Sequence, residues 1–552
     1  RPARAPRGGR NTLTVHAGAS FALAAILALT ACSRVGAPPA AGGHHAWTIP
    51  GVLRIGQPDE PDSLNPLFGN SAATDDAAAL LFAPVLRYDD RGEFMPELAT
   101  VVPSKRNGGI SADGKTIVLH FRRGVTWADG APLTARDLRF TYRVVTNDAN
   151  NVKSRFGWDD IAAIDAPTDL TAIVHLKRPE ADILGLFATG GAAYPPLPEH
   201  LLGKLPNLNR AAFNTQPLSS GPWMLKSWQH GAQLVFEPNR RYWRGPPKLK
   251  ELIWKVIPSN DTLLAALSTH EIDVYPNVAG DQIDRLTTIA GITVAHRLLA
   301  NWRRIAIDVA RPPLDDVHVR RAIALGVDWD RLNRTIYHDR NRRAISDIFP
   351  GSWAAPAIAP YPFDPAAARR LLEAAGFRTG PGGIRRRAEK PLQLTISSTN
   401  LLSNEQAEVQ IQQQLRAIGI DLAIKNYPAS VLFAQTGPLY TGRYDLESSI
   451  DTNAPDPDNR GLWSAQFIPP NGGNTSFVRD PVLTRLADAA ARTYDRATRK
   501  RLYQTEEERI HALVLDIPVY WEVGYAAYNS DLKNYRPAAY ITNNWNSWEW
   551  TI

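Results

Sequence analysis

Residues 444–463 read YDLESSIDTNAPDPDNRGLW, and the architecture can be worked out from this stretch. Residues 444–450 alternate imperfectly between apolar and polar side chains, which predicts a β-strand. The strand ends where residues 451–459 bring two prolines, which cannot donate to a sheet, among Asp and Asn residues that favour turns. In open α/β sheets ligands bind beyond the carboxyl ends of strands, so this loop is the predicted centre of a binding site. The alternative is an acidic surface loop without a ligand.

The segments before this loop have the pattern of a β-α-β unit. Residues 392–396 alternate in a predicted strand, residues 404–418 form a predicted helix, and residues 420–424 give the next strand. Parallel strands joined by a helix carry their carboxyl ends at the same edge of a sheet. We therefore expect the strand at 444–450 to join this sheet and the loop to lie at its carboxyl edge.

The composition indicates an ordinary globular protein of two or three lobes. The chain has 552 residues, 44% of them hydrophobic and 21% charged, which is too long for one small core. The net charge is +7, but four arginines lie in the first ten residues, which leaves 7 − 4 = +3 for the rest. No basic run persists in the body of the chain, which disfavours nucleic-acid binding. The single cysteine, Cys32, excludes an internal disulfide framework and a cysteine-rich metal site.

The N-terminus has the features of an export signal. The first ten residues are basic, and residues 17–29 form an apolar run of secretory length that is too short to span a membrane comfortably. The sequence Leu-Thr-Ala-Cys that follows resembles the bacterial lipobox, in which the cysteine becomes the lipidated first residue. The resemblance implies a lipoprotein signal peptide over residues 1–31, a lipid anchor on Cys32 and a flexible tether over residues 32–47. The alternative is a buried N-terminal helix with an incidental cysteine.

Local signals predict where several helices begin. Thr134 and Asp137 form a predicted capping box for an amphipathic helix. Asp364 is a predicted N-cap, because Pro365 follows it at the first helical position and Gly376 ends the helix.

Five motifs occur in one order along the chain. They are FRRGVTWADGAPLTARDLRFTY at 121–142, SSGPWML…EPNRRYWRGPPKLKELIW at 219–254, LDDVHVRRAI at 314–323, the segment from FDP at 363–365 to AGF at 375–377, and PDPDN at 455–459. Together they resemble the peptide/nickel family of ABC-transporter substrate-binding proteins, solute-binding protein family 5, and especially its dipeptide- and oligopeptide-binding members. The resemblance covers roughly residues 52–537.

This resemblance implies an α/β fold of the two-lobe periplasmic-binding-protein type, class II and cluster C-like, with an extra subdomain in lobe I. Lobe I would comprise residues 48–299, with the inserted subdomain at roughly 90–215, and the chain would return to it at 523–552. Lobe II would comprise residues 300–522. The ligand would be enclosed between the lobes.

The family also implies a position for ligand recognition. In its peptide-binding members an aspartate in the loop pairs with the α-amino group of the ligand, a charge-assisted contact. Aligning the PDPDN motif places Asn453 at that position, and Asp451, two residues earlier, would point the same way along a strand. We therefore expect Asp451 or Asn453 to anchor a cationic or polar end of the ligand.

Six further residues are candidates for ligand contact. The candidate wall aromatics, each with core packing as its alternative, are Trp463, Trp302 and Phe82. The candidates in the first lobe, where family members often contact the ligand backbone, are Asn70, Ser71 and Thr74.

The resemblance implies an extracytoplasmic lipoprotein in the cell envelope that captures small peptides and delivers them to an ABC permease and ATPase complex. We expect a monomer that contacts the membrane only through its anchor and binds no nucleic acid, resident metal or cofactor. Alternatives are the same scaffold with an oligosaccharide, opine-like compound or metal chelate, and a ligand sensor. An enzyme is disfavoured because the sequence has no HExxH, P-loop, GxGxxG or GxSxG motif.

Overall fold

The computed structural model describes residues 43–188, 193–540 and 542–552. The predicted signal peptide, Cys32 and most of the predicted tether lie outside the described residues. The chain divides into two compact units, residues 1–48 and 49–552, and every strand and helix of the described residues belongs to the second unit. Among the described residues, no helix combines the length and the apolar character that crossing a bilayer requires.

The described residues form strands of very different length. The strands are β1 (Val52–Gln57), β2 (Leu86–Tyr88), β3 (Phe94–Pro96), β4 (Thr116–His120), β5 (Ile161–Thr168), β6 (Thr171–Leu176), β7 (Trp223–Gln229), β8 (Gln233–Pro238), β9 (Glu251–Val256), β10 (Val274–Tyr275), β11 (Ile292–Ile307), β12 (Arg342–Arg343), β13 (Arg378–Thr379), β14 (Arg385–Arg387), β15 (Lys390–Pro391), β16 (Gln393–Ser397), β17 (Asp421–Ile424), β18 (Leu446–Thr452) and β19 (Asp516–Asn529).

The described residues also form helices of four to eighteen residues. They are α1 (Ala72–Leu81), α2 (Ala135–Thr146), α3 (Glu199–Leu202), α4 (Asn260–Ser268), α5 (Ile283–Leu286), α6 (Val317–Gly326), α7 (Trp329–Ile336), α8 (Pro365–Ala374), α9 (Leu402–Ala417), α10 (Ala429–Leu432), α11 (Arg460–Trp463), α12 (Pro481–Arg492) and α13 (Arg496–Leu513).

One mixed sheet of eleven strands runs through the protein, in the order β17-β16-β18-β11-β19-β10-β1-β9-β8-β7, with β12 paired to β19. The two longest strands, β11 and β19, are antiparallel and lie at its centre. Their pairing shifts between Leu298 and Trp302, and such an irregularity bends a strand pair.

Separate hydrophobic cores lie on either side of this shift. One core draws its buried residues from 53–274 and 526–552, and we call this part the first lobe. Another draws them from 305–520, and we call this part the second lobe. β19 contributes Ala526 to the first core and Ile517, Val519 and Tyr520 to the second, so this strand, together with β11 paired along it, connects the lobes. The lobe limits derived from the sequence stay a prediction.

The β-α-β prediction is confirmed. β16 pairs in parallel with both β17 and β18, and α9 connects β16 to β17. One boundary was wrong, because β18 extends to Thr452 and Asp451 therefore lies in the strand rather than in the loop. The cause is pairing with β11, which places Asp451 opposite Trp302 and Thr452 opposite Asn301.

The predicted helix starts are also confirmed. The Thr134 side chain accepts from the backbone and Asp137 accepts from the Thr134 amide, which completes the capping box of α2. The Asp364 carboxylate accepts from the Ala367 amide at 2.8 Å and caps α8, with Pro365 at its first position.

Candidate ligand site

The loop after β18 is tied to the point where the lobes join. The Asn453 amide donates to the Ala300 carbonyl at 2.8 Å, and its side chain donates to the Asp347 carbonyl at 2.5 Å. Ala300 lies in the part of β11 where the pairing with β19 shifts. The structure therefore places Asn453 at the junction of the two lobes, with its backbone N–H and its side-chain NH₂ both engaged by the protein.

Asp451 forms an ion pair with Arg304. Its Oδ2 lies 2.6 Å from Nε of Arg304, whose side chain is only 5% exposed, whereas that of Asp451 is 34% exposed. Burial would lower the pKa of Arg304, but the carboxylates of Asp451, Asp516 and Glu447 outweigh it and raise that pKa. A ligand amine at Asp451 would therefore share its carboxylate with a buried guanidinium, a partner that the sequence does not reveal.

Asp347, which was not predicted from the sequence, accepts hydrogen bonds from residues in and just after the loop. Its Oδ2 accepts from Trp463 Nε1 at 2.6 Å and from Asn459 Nδ2 at 3.2 Å. Its buried Oδ1 has no hydrogen-bond partner among the described residues. Glu507 lies nearby, and burial together with the charge of Asp347 raises its pKa well above the ordinary value. The region is thus rich in buried carboxyl groups.

Aromatic rings gather where the lobes meet. Trp302 packs against Trp521 with ring centroids 5.9 Å apart, and Phe349 contacts Trp521 at 5.3 Å and Tyr540 at 4.8 Å. The buried Nε1 of Trp302 has no hydrogen-bond partner among the described residues. Sequence reasoning identified only Trp302, because the other rings come from distant parts of the chain.

The other two aromatic candidates are not part of this group. Trp463 is fully buried in a separate cluster of the second lobe, and Phe82 is 2% exposed in the core of the first lobe. Phe82 packs against Phe213, with centroids 5.9 Å apart. Both side chains have the contacts of core residues, and a ligand role for either stays a prediction.

Asn70, Ser71 and Thr74 are brought together around one carboxylate. The Asn70 amide donates to Asp62 Oδ2 at 2.8 Å, while the hydroxyls of Ser71 and Thr74 donate to Oδ1 at 2.9 and 2.7 Å. Burial alone would raise the pKa of Asp62, but these hydrogen bonds outweigh it and lower the pKa to about 2. Ser71 also caps α1. This network holds the start of α1, and ligand contact by these residues stays a prediction.

An ion-pair network joins the two lobes beside the PDPDN motif. The Arg460 guanidinium lies 2.6 Å from both Glu180 Oε1 and Asp458 Oδ2, and the side chains of Arg460 and Glu180 are 11% and 3% exposed. The Tyr494 hydroxyl donates to the Glu180 carbonyl at 2.8 Å. Glu180 directly precedes a segment buried in the core of the first lobe, whereas Arg460 belongs to the second.

The same place has the one group of carboxylates among the described residues that is close enough to hold a metal ion. Oxygens of Glu180, Asp182 and Asp458 lie within 4.8 Å of one another. However, Arg460 donates to both Glu180 and Asp458, so a guanidinium already compensates their charge. The arrangement therefore fits an interlobe ion pair.

Comparisons with known proteins find relatives in sequence and in fold. The sequence profile described as Bacterial extracellular solute-binding proteins, family 5 Middle, matches residues 93–468. Protein XP55 of Streptomyces lividans is 31% identical over 384 residues, which cover 68% of this chain and 66% of that protein.

Solved structures share the fold. NikZ from Campylobacter jejuni, in complex with Ni(L-His), superposes with a TM-score of 0.75 at 23% identity, covering 92% of this chain and 100% of that one. The oligopeptide-binding protein AppA from Bacillus subtilis, in complex with a nonapeptide, superposes with a TM-score of 0.72 at 21% identity, covering 90% and 98%.

Proposed function

The chain belongs to family 5 of the bacterial extracellular solute-binding proteins, and we propose that it captures peptides between its two lobes for an ABC importer. The observation that carries the proposal is the loop after β18. This loop contacts the lobe junction through Asn453 and leads to Arg460, which pairs with Glu180 of the opposite lobe. A segment that touches both lobes is placed to sense a solute enclosed between them.

Peptides suit the chemistry around this loop. Trp302 Nε1 is buried without a hydrogen-bond partner among the described residues, and buried polar groups are ordinarily paired. The amides and carbonyls of an extended peptide supply both donors and acceptors. AppA, which shares the fold, binds a nonapeptide.

The proposal includes the cellular setting. The protein is exported, anchored through lipid on Cys32 to the outer face of the cytoplasmic membrane, and passes its ligand as a monomer to a permease and ATPase complex. It catalyses no reaction and needs no cofactor. Support comes from the lipobox-like sequence and from the family, whose members are extracellular solute-binding proteins.

A thermal-shift screen tests the ligand class. We expect some di- to pentapeptides to raise the melting temperature, because a ligand that binds only the folded state stabilises it, by about 2.7 kcal/mol at one hundred times its Kd. Oligosaccharides, opine-like compounds and Ni²⁺ chelates are the comparison set. If one of these compounds raised the melting temperature and no peptide did, the ligand would be of that class and not a peptide.

Substitutions at Asp451 and Asn453 test the proposed anchor. We expect Asp451→Asn and Asn453→Ala each to lower the affinity for a peptide with a free amino end by about tenfold or more, since a hydrogen bond to a charged group contributes about 1.5–3 kcal/mol. Isothermal titration measures the affinity, and an N-acetylated peptide is the matched ligand. Asp451→Asn keeps the shape of the side chain beside Arg304, and circular dichroism checks its folding. Unchanged affinity in both variants would show that neither residue binds the amino end of the peptide.

A further inference from the structure

A groove with many basic side chains lies on the first lobe, at the end of the large sheet where β7 is the edge strand. Its volume is about 660 Å³. The basic side chains that line it, all of them exposed, are Lys226, Arg240, Arg241, Lys248 and Lys250. We call this feature the basic groove.

The charge of the basic groove is poorly compensated. Its lining includes five cations and two carboxylates, Glu237 and Glu251, which gives 5 − 2 = +3. Lys226 pairs with Glu251 at 2.8 Å. In the part of the chain that the structure describes, the other four cations form no ion pair within 4.0 Å. Exposed cations of this kind are available to an anionic surface.

The basic groove adjoins the place where the chain leads away to its N-terminus. The backbone amides of Lys250 and Glu251 donate to the Gly51 carbonyl at 2.7 and 3.2 Å. From Cys32 to Ile49 the chain has 49 − 32 = 17 peptide steps. At no more than 3.6 Å per residue, these reach at most about 60 Å, so a lipid on Cys32 would confine the basic groove to a layer close to the bilayer from which it can reach the headgroups.

We propose that the basic groove docks on anionic phospholipid headgroups and serves as a second membrane contact beside the lipid anchor. The orientation of the protein on the membrane rests on the anchor in the proposed function, whereas the affinity of the groove for headgroups does not. Anchored proteins commonly combine acyl chains with a basic patch. Each Lys or Arg near an anionic surface increases membrane binding roughly fivefold, and the attraction falls off within a Debye length.

Co-sedimentation with vesicles tests this docking without the lipid. The protein would be the chain from residue 33 onward, which retains the whole compact unit Ile49–Ile552 and with it the complete eleven-stranded sheet. The probes are phosphatidylcholine vesicles with and without phosphatidylglycerol, at low and at physiological ionic strength. The test variant carries Arg240→Gln, Arg241→Gln, Lys248→Gln and Lys250→Gln. The control variant removes equal charge from exposed side chains elsewhere, through Arg106→Gln, Lys204→Gln, Arg210→Gln and Lys500→Gln.

We expect the protein to bind only the anionic vesicles, and to bind them less at higher ionic strength. Binding should fall about tenfold or more in the test variant and much less in the control variant. Equal losses in both variants, binding to the neutral vesicles, or no binding of the unchanged chain at low ionic strength would overturn the docking proposal. Peptide-induced thermal shifts of the same samples report on the proposed function separately. If the protein bound peptides but not vesicles, the docking proposal would be wrong and the proposed function would stand.

Discussion

Arg460→Gln is expected to lower peptide affinity about 100-fold or more. The substitution leaves Glu180, Asp182 and Asp458, whose oxygens lie within 4.8 Å of one another, without the guanidinium that donates to two of them. Removing one partner of a buried ion pair costs about 3–5 kcal/mol. Here the loss destabilises the arrangement in which the lobes touch, because the pair forms between them. If a ligand binds only the arrangement in which the lobes touch, its apparent affinity falls by the same factor as the population of that arrangement. Isothermal titration with the peptide that gives the largest thermal shift measures the effect.

Two further variants make this test specific. Arg496→Gln removes another contact between the lobes, the pair with Glu93, whose side chains are 53% and 48% exposed. Exposed pairs contribute about 0.2–1 kcal/mol, so a change of a few fold is expected. In the double variant Arg460→Gln/Glu180→Gln, affinity should recover at least in part, because one uncompensated carboxylate is gone. Wild-type affinity in Arg460→Gln, or an equal loss of affinity in Arg496→Gln, would show that the Arg460–Glu180 ion pair does not stabilise closure of the lobes.

The free energy of unfolding is expected to fall as the pH rises from 6 to 8. Burial raises the pKa of Asp516 to about 8 and that of Glu447 to about 7, although Arg304 opposes both shifts. Between the ordinary pKa and the raised one, the folded protein holds a proton that the unfolded chain has released. Stability from such a group is present below the unfolded pKa and is lost as the pH rises through the folded one. Each group contributes about −1.4 kcal/mol per pH unit in that window, so a fall of about 2 kcal/mol or more is expected.

Urea unfolding across this pH range measures the fall. His511 acts in the opposite direction, because burial lowers its pKa and its folded form stays neutral while the unfolded chain takes up a proton. Asp516→Asn should flatten the dependence, since the amide does not titrate. Asp148→Asn changes a fully exposed carboxylate and should leave the slope unchanged. Stability that rises from pH 6 to pH 8 in the wild-type protein would contradict the expectation.

The features predictable from the sequence are those with local causes. The capping box at Thr134 and Asp137 and the cap at Asp364 involve hydrogen bonds over three residues, which a pattern can reveal. The strand at 444–450 was predicted for the same reason, since alternation is a local property. Its end was misplaced, because the pairing of Asp451 with Trp302 spans about 150 residues of chain and leaves no local trace.

The candidate site depends far more on distant contacts. The sequence does not show that Asp62 engages Asn70, Ser71 and Thr74 together. Asp347 and Tyr540 join the site only because the chain returns to the lobe junction. The role of the loop in ligand binding stays a prediction from family resemblance, and the partners of its side chains are set by tertiary packing.

Small-angle X-ray scattering during titration with a bound peptide tests most directly whether a solute is captured between two hinged lobes. If the lobes close on the ligand, the radius of gyration decreases and saturates at the same peptide concentration as the heat of binding, and the Arg460→Gln variant is more extended without peptide. A radius of gyration that stays constant while the heat of binding saturates would contradict capture by lobe closure.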